Sequence, residues 1–391
     1  MKKRFQTKYL TMFCFLGLLA GLFCQGVSPV YEGFVNTANN YQTTRQIDFS
    51  TVEETYNGQF KGKNFFITLN GAYQKLMGAR VLNERYKLDN GHLTYLVSEE
   101  DVQTIARNTV DFRNALRELN IPMVYVGTPS KLHPTDKQLP VNAYDYSNEN
   151  ADHFLEILKN ETVTVLDLRE KIAESGLEHY DLFYKTDHHW KAESGLWAAG
   201  VISDHLAEQD DGFRRDKALQ DPSSYHFEVY ENIFLGSAGR RVGSMYAGMD
   251  DFTVITPTFD TDFSFFAEDG EIVRSGSFPD VFIVRDLLYS EDPLLSNTYA
   301  TYCGGGFSQM EIHNHHTGCS PKKILLIRDS FSDVLIPFLA MGYEQLDVLD
   351  LRYFDNNLME YVKELSPDMV LIVYNPGAYE SKNSEMFDFL K

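Results

Sequence analysis

Basic residues are scarce in this chain of 391 residues, in which 35 Lys and Arg stand against 56 Asp and Glu, a formal net charge of −21. A surface with this balance repels nucleic acid and anionic lipid, so neither is expected as a main partner. Low-complexity tracts and repeats at a solenoid period are also missing, which excludes an array of stacked units. The composition, 43% apolar with 28 Phe and 23 Tyr, predicts a globular protein with a core.

Long apolar runs are missing except near the N-terminus. Several Lys and Arg residues precede an apolar run from Tyr9 to Phe23, which is the pattern of a signal peptide with cleavage after Gly26. The alternative is that Tyr9–Val30 serves as an uncleaved anchor. Either alternative makes residues 1–30 a signal peptide or signal anchor. The protein is then exported to the cell envelope or secreted, and touches the membrane only through this segment.

Cysteine is rare as well, with four residues in the chain. Cys14 and Cys24 lie in the N-terminal segment, so only Cys303 and Cys319 remain in the body of the protein. These two flank the segment CGGGFSQMEIHNHHTGC. An even pair of cysteines in an exported protein predicts a disulfide between Cys303 and Cys319.

The body of the chain alternates between short β-branched runs and segments with helical periodicity. This alternation predicts an α/β domain with a parallel sheet covered by helices on both faces, spanning residues 31–391. Residues 210–300 instead carry short alternating stretches rich in Asp, Phe, Ser and Gly, which predict a β-rich insertion. The clearest predicted elements are a helix at 98–120, a strand at 121–131, a strand and helix at 162–176, a helix at 191–209 and a strand and turn at 322–331.

A serine lies at the end of one predicted strand, in the segment ILLIRDSFSD. The apolar strand runs into Arg328, Asp329 and Ser330, and a helix is predicted over 331–342. The carboxyl end of a parallel strand that meets a helix N-terminus is where α/β enzymes place their sites. Ser330 is therefore a candidate nucleophile, and the alternative is that it only caps the helix.

Two imidazoles and a carboxylate stand together in the segment KTDHHW. A serine nucleophile needs a base and a carboxylate that orients the base. Asp187 and His189 are two residues apart and face the same way in an extended turn, whereas His188 points away and Trp190 packs beneath the turn. The alternative is an ordinary polar turn that caps the helix at 191–209.

A metal site is a further alternative for the same residues, because zinc needs three or four ligands. The second histidine cluster, His313, Asn314, His315 and His316, is the only other dense source of such ligands. Two other protein classes with Asp-His-His motifs are excluded. Palmitoyltransferases need Cys where Trp190 stands and several membrane spans, and the phosphoesterases need additional Asp-rich motifs earlier in the chain.

The segments KTDHHW and LLIRDSFSDVLIPFLA, with VLDLRYF, the TPSK turn and LIVYNPG, resemble the bacterial DHHW family. That family is similar to the alginate O-acetyltransferases of the AlgX and AlgJ type, within the SGNH-hydrolase-like superfamily. The resemblance covers nearly the whole chain. It implies an SGNH-hydrolase-like parallel sheet flanked by helices, with a triad in permuted order: Asp187 orients, His189 is the base and Ser330 is the nucleophile.

The resemblance also implies an activity and partners. The expected reaction is transfer of an acyl group, typically acetyl, to hydroxyls of an exported polysaccharide through an acyl-enzyme. No cofactor or metal is expected beyond the acyl donor, which a membrane-bound O-acyltransferase partner delivers. Two alternatives stay open: a carbohydrate esterase that uses water as the acceptor, and a non-catalytic glycan-binding or assembly protein with the same fold.

Further residues are candidates for stabilising the oxyanion or binding substrate. SGNH-like enzymes use the ends of neighbouring strands for this purpose, which here hold Arg352 and Asn375. Lys131 in the TPSK turn lies at another strand end. Arg328 stands where many relatives carry Gly or Lys, and so affects the loop geometry. Backbone amides at the start of the predicted 331–342 helix are also expected to face the oxyanion.

Overall fold

The computed structural model describes residues 2–44, 49–59, 62–135, 137–214, 217–290 and 292–390. The chain divides into two compact units, Met1–Tyr73 and Gln74–Lys391. Its first helices are α1 (Lys2–Thr44), α2 (Ser50–Gln59) and α3 (Lys63–Leu76). Within the described ranges, no helix combines the length and the apolar character needed to cross a bilayer. The signal peptide or anchor stays a prediction.

Short strands and longer helices alternate through the second unit. The strands are β1 (Val81–Leu82), β2 (Arg85–Lys87), β3 (Leu93–Thr94), β4 (Met123–Gly127), β5 (Thr164–Asp167), β6 (Tyr225–Phe234), β7 (Asp250–Pro257), β8 (Phe263–Ala267), β9 (Ile272–Gly276), β10 (Gln309–Asn314), β11 (Ser320–Arg328), β12 (Tyr343–Leu349) and β13 (Met369–Tyr374). The helices are α4 (Gln103–Glu118), α5 (Ser147–Asn160), α6 (Leu168–Ser175), α7 (Ala192–Gln209), α8 (Ser237–Val242), α9 (Ser244–Ala247), α10 (Phe278–Phe282), α11 (Ile336–Ala340) and α12 (Leu358–Leu365).

Eight strands of the described chain form the central sheet, in the order β5-β4-β13-β11-β12-β10-β8-β9. The first five of these strands run parallel, and the last three are added antiparallel. The predicted α/β fold with a mostly parallel sheet is confirmed. The extra β elements are found in the region predicted to be β-rich, where β6 and β7 form a separate antiparallel pair and β8 and β9 extend the sheet.

The parallel strands are buried on both faces, which explains their nearly continuous apolar sequences. In β11, Ile324 and Leu326 belong to the core that includes residues of α7 and α11. Leu325 and Ile327 point the other way, into the core formed with α4, α5 and α12. This period of two follows from the alternation of side chains along a strand, and it fixes the sheet between two helical layers.

The predicted disulfide is wrong, because Cys303 and Cys319 are both free thiols. Cys303 is buried, with its Sγ 3.7 Å from the carbonyl oxygen of Asp333, which follows the carboxyl end of β11. Cys319 immediately precedes the first residue of the same strand. A strand of this length separates its ends by about 25 Å, whereas a disulfide needs Cα atoms about 6 Å apart.

Candidate active site

Ser330 follows β11 directly and begins a 3-10 helix, Ser330–Val334. Its predecessor Asp329 is buried and caps that helix by accepting a hydrogen bond from the Phe331 amide at 2.9 Å. The other oxygen of Asp329 accepts from the backbone and side-chain nitrogens of Asn375, at 2.7 and 2.6 Å. The turn that presents Ser330 is therefore fastened to the end of β13. Burial raises the pKa of Asp329, and the two backbone hydrogen bonds oppose that change.

The structure brings Asp187, His189 and Ser330 into one hydrogen-bonded row. The Nε2 atom of His189 lies 2.8 Å from the Ser330 hydroxyl oxygen, although 141 residues separate the two in the chain. On the other side of the ring, Nδ1 lies 2.6 Å from Oδ1 of Asp187. A carboxylate only accepts, so Nδ1 carries the proton and Nε2 is left to accept from the serine hydroxyl. This is the arrangement of a nucleophile, a base and an orienting acid.

Asp187 is buried and hydrogen-bonded from several sides. Besides the His189 ring, it accepts from the His189 amide at 2.9 Å and from the Ser237 amide at the start of α8. Burial alone would raise the pKa of this carboxyl. Its contacts with His189 and His188 outweigh burial and hold the pKa well below its usual range. Asp187 therefore stays ionised and fixes the tautomer of His189.

The close approach of α8 to Asp187 depends on a glycine. A Cβ atom on Gly236 would overlap the Cα, Cβ and Oδ2 atoms of Asp187. The Gly236 amide also donates to the Thr186 hydroxyl at 2.8 Å, so both residues before His188 are held by this segment. The loop before α8 is thus part of the support of the site.

Aromatic rings hold the His189 side chain from its faces. The ring of Tyr299 stacks on it, with centroids 4.0 Å apart and planes inclined by 15°. Tyr299 and Trp190 both donate to the carbonyl oxygen of Phe331, at 3.2 and 2.7 Å. Trp190 is fully buried, as the sequence predicted for the residue that fixes the turn.

Lys131 is brought to the site but is occupied by the protein. Its ammonium group donates to the carbonyl oxygens of Leu93, Lys185 and Asp187, at 2.6, 3.1 and 2.5 Å. Burial lowers the pKa of Lys131 to about 7, and the carboxylates of Asp250 and Asp187 oppose the change. The three hydrogen bonds use its three donors, so Lys131 holds the backbone around Asp187. It also lines the cleft described below, and its role in binding substrate stays a prediction.

Arg328, another residue predicted to bind substrate or affect the loop, is directed into the core. It is fully buried, with Nη1 3.0 Å from an oxygen of Asp333 and 3.5 Å from Asp350. Arg352 forks onto both oxygens of Asp350, at 2.8 and 2.6 Å. Asn375 hydrogen-bonds to Asp329, the residue before the serine, and Arg328 pairs with Asp333 of the 3-10 helix that the serine begins.

The backbone amides expected to face the oxyanion, those at the start of the predicted 331–342 helix, mostly donate within the protein. The region predicted as one helix over 331–342 forms the 3-10 helix followed by α11, and its first amides are already used. Phe331 donates to the Asp329 side chain and Ser332 donates to the Asp329 carbonyl, at 2.9 and 3.1 Å. The Ser330 amide is the first of that 3-10 helix, where an N–H group has no partner within the helix.

Of the residues considered as metal ligands, the structure brings Asp187, His188 and His189 together but not the histidines of 313–316. Ligand atoms of Asp187, His188 and His189 all lie within 4.8 Å of one another. His188 is paired, with Nδ1 3.0 Å from the Ser237 hydroxyl and 3.2 Å from Asp187. The second histidine cluster does not join them. His313 in β10 pairs with Gln345 near the start of β12, whereas Ser330 follows the carboxyl end of the parallel strand β11.

A small cleft of about 40 Å³ lies beside the row of three residues. His188 and Phe331, the chain neighbours of His189 and Ser330, form part of its wall together with Tyr95, Asn375 and Gly377. Ser330 itself is partly exposed. The cleft holds a few water-sized groups, which is the size range of a short acyl chain.

Several supporting residues were not found from the sequence. Gly236, Ser237 and Tyr299 reach the site from loops and helix ends far along the chain. The local sequence signal near two of them is the glycine-rich segment GSAGRRVGS at 236–244, which contains α8.

The mostly parallel sheet, with the serine at a strand end and the Asp-X-His pair beside it, is consistent with an SGNH-hydrolase-like fold. Residues 89–226 match the family model described as SGNH hydrolase-like domain, acetyltransferase AlgX. The match includes the Asp187–Trp190 segment and ends before Ser330. The predicted resemblance to this family is confirmed.

Solved structures agree in fold. PatB1 of Bacillus cereus, solved with a sulfonyl adduct, has a TM-score of 0.63 and 20% identity, covering 78% of this chain and 99% of that one. A DHHW family protein from Eubacterium siraeum has a TM-score of 0.58 and 18% identity, covering 78% of this chain and 95% of that one. No curated protein matches significantly by sequence. At these identities the likeness concerns the fold.

Proposed function

We propose that this protein is a serine-dependent O-acyltransferase that moves an acyl group, most simply acetyl, onto hydroxyls of a polysaccharide. The single observation that carries the proposal is the row Asp187–His189–Ser330, with hydrogen-bond distances of 2.6 and 2.8 Å at a partly exposed serine. The family model matched by residues 89–226 describes an acetyltransferase domain, which supports the acyl group and the reaction class.

The first half of the reaction forms the acyl-enzyme. His189 Nε2 takes the proton of the Ser330 hydroxyl while Oγ attacks the acyl carbonyl carbon of the donor. The oxyanion is stabilised by the Ser330 amide and by the second N–H of the Asn375 side chain, whose first N–H is held by Asp329. The intermediate collapses by breaking the bond to the leaving group, which receives the proton from His189.

The second half transfers the acyl group. A sugar hydroxyl enters from the cleft, and His189 accepts its proton while the oxygen attacks the acyl carbon on Ser330. Collapse of this intermediate breaks the bond to Oγ, and His189 returns a proton to Ser330. Asp187 stays ionised throughout and stabilises the imidazolium that forms twice. If water replaces the sugar, the same residues perform hydrolysis, so access of water decides between transferase and esterase.

The proposed setting is outside the cytoplasm. The basic and apolar start of the chain directs export, and the net charge of −21 suits a solvated protein that contacts glycans rather than nucleic acid. The acyl group reaches such a protein from a membrane-bound O-acyltransferase partner. No cofactor takes part.

The test is acyl transfer from an aryl acetate by the full-length chain, with and without an oligosaccharide acceptor. Ser330→Ala and His189→Ala are expected to lower kcat by about 10³-fold or more. His226→Ala, at an exposed histidine, is the matched control and is expected to retain full activity. A sulfonyl fluoride is expected to label Ser330 in the wild type and not in His189→Ala.

Three results separate the alternatives. Acetylated oligosaccharide identifies a transferase, and release of acetate alone identifies an esterase. A folded wild-type protein without labelling or turnover overturns the catalytic assignment and favours glycan binding alone.

A further inference from the structure

Three neighbouring cavities share walls and extend away from the active site. The small cleft shares Ser130 with a cavity of about 320 Å³ that includes His133, Arg169 and Tyr180. That cavity shares Leu177 and Glu178 with a third, of about 610 Å³, on the outer face of α7. We call this row of cavities, linked by shared lining residues, the groove, and the largest of the three has the volume typical of a ligand site.

The far end of this groove, the α7 subsite, is built on an apolar floor. Leu196, Trp197 and Val201 lie on one face of α7, and Phe227 of β6 and Leu177 border them. Phe227 and Leu177 are 39% and 42% exposed, so the floor is open to solvent. An accessible indole with an exposed phenyl ring offers the flat apolar surface on which a sugar ring stacks by its C–H face.

The charged groups that line the α7 subsite all carry the same sign. Glu178, Asp181, Glu193 and Asp204 line it, and no Lys, Arg or His is among the described lining residues. One oxygen of Glu193 is buried and has no hydrogen-bond partner. Glu193 as a whole lines the cavity and is partly exposed, so its carboxylate can accept a hydrogen bond from a hydroxyl or amine of a ligand.

The charged groups nearer the active site do not offset this negative field. Arg169 is held by Asp167 and Asp152, each at 2.8 Å. Lys131 is held by three carbonyl oxygens, the farthest at 3.1 Å. The described groove thus offers acceptors for hydrogen bonds and repels anions.

We propose that the α7 subsite binds distal units of the acceptor glycan, and that this glycan carries no acidic groups. Sugar hydroxyls or amines donate to Glu193 and its neighbouring carboxylates, while a ring stacks on Trp197. Uronic acids and phosphate-bearing sugars are excluded by the four carboxylates. The inference rests on the proposed function, since it names the class of polysaccharide that the same site modifies.

Binding is measured first, without any chemistry. The chain has two Trp residues, and Trp190 is fully buried, so a ligand-induced change in tryptophan fluorescence reports Trp197. The probes are hexasaccharides of three charges: cellohexaose and N-acetylchitohexaose, a glucosamine hexamer, and oligogalacturonate. The uncharged or the amino-bearing hexamers are expected to change the fluorescence and to bind at least tenfold more tightly than oligogalacturonate.

Variants make the result specific to this subsite. Trp197→Phe is expected to remove the fluorescence change while calorimetry still detects binding. Glu193→Gln is expected to reduce the difference in affinity between oligogalacturonate and the other hexamers. Equal or tighter binding of oligogalacturonate, no response to any hexamer, or a fluorescence change that survives Trp197→Phe each overturn the proposal.

An activity measurement separates this inference from the proposed function. Trp197→Ala is expected to leave hydrolysis of the aryl acetate unchanged, and to raise KM for a hexasaccharide acceptor about tenfold with little effect on a monosaccharide. An unchanged KM for the hexasaccharide counts against the α7 subsite while the catalytic assignment stands. Failure of Ser330 labelling counts against the catalytic assignment and leaves the binding result standing.

Discussion

At the scale of single residues, the site keeps one carboxylate charged and one imidazole neutral. Asp187 has a depressed pKa because His189 and His188 outweigh its burial, so it is ionised at any pH where the protein is handled. Burial, with the neighbouring His189, lowers the pKa of His188 to about 3. The two adjacent histidines therefore differ: His189 is hydrogen-bonded to Ser330, and His188 stays unprotonated beside it.

The depressed pKa of His188 predicts a loss of stability in mild acid. The unfolded chain takes up a proton at His188 as pH falls below about 6.5, whereas the folded protein resists until about pH 3. The unfolded state binds more protons in that window, so the free energy of unfolding decreases as pH falls through it. Urea unfolding at pH 7 and pH 4.5 measures the difference.

The control for this prediction is His188→Gln, which is expected to show a smaller decrease between the same two pH values. Asp187 contributes little to the difference, because its stabilising effect is lost as pH falls from the unfolded-state pKa, about 3.9, toward its lower folded-state pKa, and both lie below pH 4.5. A variant that loses as much stability as the wild type would refute the assignment to His188.

At the scale of elements, the acid of the triad depends on a short helix that lies fifty residues later. The amide of Ser237 at the start of α8 donates to Asp187, and this contact requires the backbone of Gly236 to touch the aspartate. The position of the histidine-bearing turn therefore depends on the position of α8.

Gly236→Ala is expected to displace α8 or Asp187, because the new methyl group overlaps three atoms of the aspartate. Overpacking of this kind costs about 1–3 kcal/mol, and aryl acetate turnover is expected to fall at least tenfold since a small misplacement of catalytic groups is expensive. Gly342→Ala is the matched control, because the nearest atom to its Cβ lies 3.5 Å away. Equal activity of the two variants would contradict the role of α8.

The sequence predicted those elements that a short, continuous pattern of residues specifies. The buried strand before Ser330 and the Asp187–Trp190 turn carry strong short patterns, so the fold class and the three-residue row could be predicted. Tyr299 and Ser237 could not, because their contacts join segments with no shared pattern. The disulfide prediction was wrong for the same reason. The short distance in sequence did not reveal that Cys303 and Cys319 lie near opposite ends of β11.

At the scale of the whole molecule, Arg328 joins the core to the active-site turn. Its guanidinium lies between Asp333 of the 3-10 helix and Asp350 after β12. Burial raises the pKa of Asp333 to about 6, against the opposing effect of Arg328. The cation thus compensates carboxylates that have no access to water.

Arg328→Met is expected to destabilise the protein by about 3–5 kcal/mol, because breaking a buried pair leaves uncompensated charge. Global urea unfolding measures this. Lys322→Met, which removes a partly exposed cation near Asp210 and Asp368, is the control and is expected to cost no more than about 1 kcal/mol. A loss for Arg328→Met no larger than the control's would show that the buried pair is not stabilising.

The position of β13 has a consequence for how the chain assembles. This strand lies between β4 and β11, and it is the last strand in the sequence. Until β13 is in place, the pair β5-β4 and the strands β11-β12-β10-β8-β9 are two separate sheets, each with an unpaired edge strand. Long-range pairing of this kind slows folding. The molecule therefore gains its continuous sheet only after residues 369–374 have been synthesised, and a product that stops short of residue 369 lacks Asn375, which fastens Asp329 of the serine turn.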